Sequence, residues 1–127
     1  MNKMFYQNQI IKFNNLISLD QHHVKLLIRT KRYIDIHYFE DINLDLLSKT
    51  QGLSKYHLLR LFKSLYGTTP RQYLIDKRLQ KSKENLQKGM SVTDSCYAVG
   101  FYSTTTFSSL FKKKIGVSPN EYKKSNY

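Results

Sequence analysis

The stretch Leu44–Tyr73, LDLLSKTQGLSKYHLLRLFKSLYGTTPRQY, returns later in the chain as Val92–Tyr122, VTDSCYAVGFYSTTTFSSLFKKKIGVSPNEY. Leu44 aligns with Val92 and Gly52 with Gly100 at an offset of 48 residues. The offset then becomes 49, and Leu58 meets Phe107, Leu61 meets Leu110, Phe62-Lys63 meets Phe111-Lys112, Gly67 meets Gly116, Pro70 meets Pro119 and Tyr73 meets Tyr122. One residue is therefore inserted in the turn of the second copy. Self-similarity of this kind means that one supersecondary unit is built twice.

The physics of each copy is that of a helix-turn-helix. A short helix ends at a glycine, Gly52 or Gly100, which takes the left-handed backbone that closes a turn. A second helix follows within a few residues and crosses the first. Its inner residues pack on the first helix, and its outer N-terminal residues are left to meet a partner.

Outward from the repeat, the whole chain reads as all-α, with about seven helices. No segment alternates apolar and polar residues in the manner of a half-buried strand. The first helix is expected from about Val24 to Phe39, with Val24, Leu27, Ile34 and Tyr38 inward and Lys31 interrupting the stripe. The second starts after the cap Asn43 and stops before Gly52. The third starts after Ser54 and ends near Gly67, with Leu58, Leu61, Phe62 and Leu65 on one face. Thr69-Pro70 opens a long fourth helix, which carries Ile75, Leu79, Ser82 and Leu86 along one face and ends by Lys88-Gly89. Ser91, Ser103 and Ser118-Pro119 open the fifth, sixth and seventh. The expected layout is two helix-turn-helix subdomains, at about 42–66 and 91–115, joined by a linking helix at about 70–87. This domain occupies 24–127, and residues 1–23, rich in Asn and Gln, form an extension or linker.

The chain has 127 residues and a formal net charge of +12, with a pI of about 9.8. So large a cationic excess makes the compact state repel itself, and is best explained by a polyanionic partner. Nucleic acid is the first candidate and an anionic membrane surface the second. No apolar run approaches the roughly 20 residues of a membrane span. The N-terminus has no continuous apolar stretch of signal-peptide type. The single cysteine, Cys96, has no internal disulfide partner and sits on the core side of the fifth helix. These features fit a cytoplasmic protein.

At the repeated residues the chain resembles the C-terminal DNA-binding domain of the AraC/XylS family of transcription regulators. Leu53-Ser54-Lys55-Tyr56-His57-Leu58-Leu59-Arg60-Leu61-Phe62-Lys63 resembles the family's first recognition helix, and Tyr73-Leu74 with Arg78-Leu79 its linking helix. Val99-Gly100-Phe101, Phe107, Phe111-Lys112, Gly116, Ser118-Pro119 and Tyr122 resemble its signature. The resemblance covers about residues 24–124. Ser82 departs from the usual alanine, and Ser95 stands where an apolar residue is usual, which is expected to loosen the second unit's packing. No sensor domain accompanies the repeat, so the chain resembles either the small stand-alone members or a piece of a longer regulator.

The resemblance implies double-stranded DNA as partner and base readout from the exposed positions of helices three and six. In the first unit these are Lys55, Tyr56, Leu59 and Arg60. The guanidinium fork of Arg60 matches guanine O6 and N7, Tyr56 suits a thymine methyl or a phosphate, and Leu59 offers only apolar contact. In the second unit they are Thr104, Thr105 and Ser109, with short hydroxyls. Bland alternatives stand beside these: Tyr56 covering the turn, Leu59 packing on the linking helix, and the threonines serving only to start a helix. Phosphate contact falls to Lys63, Arg71, Lys112, Lys113, Lys114, Lys123 and Lys124, although a run such as Lys112–Lys114 also suits a solvated face. The N-termini of helices two, four, five and seven offer further N–H groups.

Metal and enzyme chemistry find no support. His22-His23 are adjacent, His37 and His57 isolated, and no cysteine pair accompanies them, so no metal is expected. Neither a phosphate loop, a nucleophile elbow nor paired carboxylates are present, so no catalytic residue or cofactor is assigned. The expected protein binds DNA as a monomer unless a sensor domain dimerises it, with RNA polymerase as a possible second partner. The alternative is an interaction protein that modulates full-length regulators of this type or RNA polymerase.

Overall fold

In the computed structural model of the chain, residues 21–125 are described, and they are helical throughout, without a strand. Most of the expected extension, 1–23, lies outside them. Seven helices follow one another: α1 over residues 21–37, α2 Leu44–Gln51, α3 Lys55–Tyr66, α4 Pro70–Gln87, α5 Val92–Ala98, α6 Thr104–Ile115 and α7 Pro119–Ser125. The chain divides into two compact units. Of the described residues, one unit joins 21–34 with Asn43–Gln72, and the other joins Asp35–Ile42 with 73–125.

Hydrogen bonding shows why these boundaries fall where they do, and it repeats with the sequence. Asn43 accepts from the Leu46 N–H at the start of α2, as Ser91 accepts from Asp94 at the start of α5. Ser54 accepts from His57 and Ser103 from Thr106, which starts α3 and α6. Thr69 accepts from Gln72 and Ser118 from Glu121, which starts α4 and α7. Each cap satisfies an N–H that the first turn of a helix leaves without an intrahelical acceptor. Every repeated start signal is thus honoured in both copies.

In the first unit, Val24, Leu27, Thr30 and Ile34 of α1, Leu47 of α2, and Leu58 and Phe62 of α3 are buried. The inward stripe of α1 runs through Thr30, fully buried, and not through Lys31, which is half-buried. The Thr30 hydroxyl donates to the Leu26 carbonyl at 2.8 Å, so a polar residue enters the core with its hydrogen bond made. Leu61 and Leu65 flank this face and are half-buried.

The second unit is built on aromatics. Phe101, Phe107 and Phe111 form a chain of rings with centroids 5.4 and 5.7 Å apart, and Tyr122 of α7 continues it at 5.6 Å. Leu79, Leu86, Cys96 and Val99 complete the buried cluster. Each fully buried ring contributes about 1.5–3 kcal/mol by leaving water. Burial also pushes the Cys96 thiol up from its ordinary pKa, which leaves it a small apolar filler.

Ser95 does not loosen this core. It is fully buried, and its hydroxyl donates to the Ser82 carbonyl at 3.3 Å, while the buried Ser82 hydroxyl donates to Leu79 at 2.7 Å. The two serines that depart from the family pattern are thus placed together and satisfied.

Arg78 of α4 ties the end of α1 into the same unit. Its Nε donates to the Tyr38 carbonyl at 2.7 Å and its Nη2 to the Glu40 carbonyl at 2.8 Å, beneath the Phe101 ring. Burial pulls its pKa below the usual guanidinium value. Arginine remains charged throughout the ordinary pH range, so the cation stays on the carbonyls that the end of α1 leaves open. Tyr73 donates to Asp35, and Lys77 lies 3.7 Å from the same carboxylate.

Candidate nucleic-acid interface

Successive residues of an α-helix are about 100° apart around its axis. On α3 this places Tyr56, Arg60 and Lys63 within an arc of about 60°. All three are exposed, and Tyr56 most of all, at 81%. The repeat carries the stripe onto α6 as Thr105, Ser109 and Lys112, which are exposed as well. Leu58 and Phe62, like Phe107 and Phe111, occupy the opposite, buried sides. The same packing that fills each core therefore turns one matched stripe of each helix to solvent.

Neither helix carries an acidic residue in its first turn. The positive end of each helix dipole is thus left without a carboxylate of its own helix. A lysine closes both stripes, Lys63 in α3 and Lys112 in α6. This arrangement suits a polyanion lying along each stripe, from the open helix start to the lysine in the last turn.

Several residues assigned to DNA from the sequence lie off these stripes. Lys55 stands about 100° from Tyr56, and its ammonium pairs with Asp45 of α2 at 2.9 Å. That hydrogen-bonded carboxylate raises the Lys55 pKa, and the pair bridges the two helices of the first unit. Leu59 and Thr104 are half-buried beside the stripes. Lys114 points about 180° from Thr105, and lies 3.6 Å from Asp76 of the linking helix. Arg71, Lys113 and Lys124 are exposed, and Lys123 is half-buried. The Thr106 N–H donates to the Ser103 hydroxyl, and its side chain is exposed.

His57 is not isolated: its ring meets that of His23 edge-on, with centroids 4.6 Å apart. No group of three or more metal-ligating side chains gathers among the described residues. No helix of the described residues is long and apolar enough to cross a membrane.

A family model described as a helix-turn-helix domain matches residues 47–125. A solved AraC-type DNA-binding transcriptional regulator from Chromobacterium violaceum superimposes with a TM-score of 0.73 at 26% identity, over 84% of this chain and 96% of that one. The chain belongs to the AraC/XylS family. Another member, the DNA-binding domain of AdpA solved in complex with a target DNA, matches with a TM-score of 0.75 at 26% identity, over 78% of this chain and 90% of that one. Among proteins known by sequence, the HTH-type transcriptional regulator YdeC of Bacillus subtilis is 35% identical over 91% of this chain. The chain spans 39% of that relative's length.

Proposed function

We propose that this chain is the DNA-binding part of a bacterial transcription regulator, and that it reads duplex DNA with Tyr56, Arg60 and Lys63 of α3 and Thr105, Ser109 and Lys112 of α6. The observation that carries the reading is the matched pair of exposed stripes, each closed by a lysine and free of acidic residues in its first turn, in a chain of net charge +12. The AdpA domain, a relative of the same fold, was solved on DNA, which supports this reading.

In this reading residues 24–127 form the DNA-binding domain and residues 1–23 extend it. Arg60 discriminates guanine, while Lys63, Arg71, Lys112, Lys113 and Lys124 neutralise phosphates. Lys55, Leu59, Thr104 and Lys123 take supporting places beside these contacts, and Lys114, paired with Asp76, braces α6 on the linking helix. The chain binds and does not catalyse, acts in the cytoplasm where the chromosome lies, and has RNA polymerase as its further partner. One monomer occupies an asymmetric site with each recognition helix in a major groove.

A shift assay against selected and scrambled duplexes at several salt concentrations tests this. With about 6–10 phosphate contacts, the log–log slope of affinity against salt is expected near −5 to −9, with tighter binding to the selected duplex. Equal binding to both duplexes contradicts sequence reading. A slope near zero contradicts DNA binding by this surface, and leaves a chain that modulates other regulators.

A further inference from the structure

The residue inserted in the second copy's turn is Tyr102. The first copy passes from Gly52 through Leu53 to the cap Ser54, and the second passes from Gly100 through Phe101 and Tyr102 to the cap Ser103. Phe101 does the packing expected of a turn residue. It is buried and its ring lies against Phe107. Tyr102 adds nothing of that kind, for it is 77% exposed. An aromatic ring held in water forgoes the burial that usually places such a residue. Among the described residues only Tyr56 of the large apolar side chains is more exposed, and it stands two residues after the cap of α3 as Tyr102 stands one before the cap of α6.

We propose that Tyr102 is a DNA-contacting residue of the second unit, and that its phenol O–H donates to a phosphate oxygen beside the groove entered by α6. The proposal rests on the DNA-binding reading above. A recognition helix meets DNA with its N-terminal residues, and Tyr102 lies at that end of α6. The stripe it adjoins has only the short hydroxyls of Thr105 and Ser109 before Lys112, so a longer donor at the helix start supplies reach that the stripe lacks. A tyrosine hydroxyl on a phosphate positions the protein without reading sequence.

Binding of the full chain to a selected duplex and to a scrambled one, by fluorescence anisotropy, tests this with Tyr102→Phe, Tyr102→Ser and Lys112→Ala. Tyr102→Phe is expected to weaken both duplexes by the same factor, about tenfold, as for a lost hydrogen bond to a charged group. Tyr102→Ser is expected to weaken both at least as much, while the thermal midpoints of both variants stay at the wild-type value because the side chain is exposed. Lys112→Ala is expected to lower the salt slope by about one, which reports the surrounding interface independently. Wild-type affinity in both Tyr102 variants, with Lys112→Ala impaired, overturns this inference alone. Loss in Tyr102→Ser but not Tyr102→Phe overturns the phosphate contact in favour of the ring. A wild-type chain that binds no duplex overturns the inference and the function it rests on together.

Discussion

The two helix-turn-helix copies agree where the chain must turn and differ where it must recognise. Both copies place a side-chain cap before each of their helices and a glycine after the first helix and after the recognition helix. Their outward stripes share only the final lysine, Tyr56 and Arg60 in one standing against Thr105 and Ser109 in the other. Their interiors differ too. The first packs aliphatic residues around Phe62, and the second packs three phenylalanines and Tyr122. Capping and left-handed turns are demands of the backbone, met by few residue types, so they repeat. Core shape and DNA chemistry admit many solutions, so they diverge.

The largest expected effects test whether the two cores are equally necessary. Phe111→Ala removes a fully buried ring that contacts two others, and is expected to cost about 3–5 kcal/mol. Phe62→Ala, at the same place in the first copy, falls in the same range, because Phe62 is also fully buried. Urea denaturation checks both. A loss below about 1 kcal/mol at either site means that its pocket collapses around the gap, and that the equivalence of the cores is false.

A sharper contrast lies in the turns. Gly52 has φ +69° with open space where a Cβ would stand. Gly100 has φ +102°, and a Cβ there would meet Arg78 Nε at 2.9 Å and the Phe39 carbonyl oxygen at 3.0 Å. Gly52→Ala therefore pays only the left-handed strain, about 1–2 kcal/mol. Gly100→Ala adds displacement of a half-buried arginine held by two hydrogen bonds, and about 2–4 kcal/mol is expected. Thermal denaturation of the two variants side by side decides the point, and equal losses would show that Arg78 yields without cost.

How much of this was legible in the sequence follows from the range of each interaction. Caps and turn glycines act over three or four residues, so Ser54, Ser103, Gly52 and Gly100 announce the helices directly. Thr30 was missed because its burial depends on a hydrogen bond to Leu26, which a stripe of apolar residues does not register. Ser95 looked like a packing flaw because Ser82, whose carbonyl it reaches, lies 13 residues away. Lys55 and Lys114 looked available to DNA because their carboxylate partners, Asp45 and Asp76, come from other helices. Tyr102 was hidden in plain view. The insertion shows in the sequence as a change of offset, but its side chain takes meaning only from the contrast between its exposure and the burial of Phe101 beside it.

The recognition stripes carry the remaining contrast. Arg60 can form a paired hydrogen bond with guanine, worth about 1–3 kcal/mol of discrimination, whereas Thr105 and Ser109 offer single hydroxyl contacts. Saturation mutagenesis of a bound duplex, scored by affinity for the wild-type chain and for Arg60→Ala and Ser109→Ala, tests most directly whether both copies bind DNA and only the first reads it strictly. The expected result is one sequence-restricted half that loses its preference in Arg60→Ala, and a permissive half that changes little in Ser109→Ala. A more restricted half whose preference disappears with Ser109→Ala, or a site indifferent to Arg60→Ala, would contradict it.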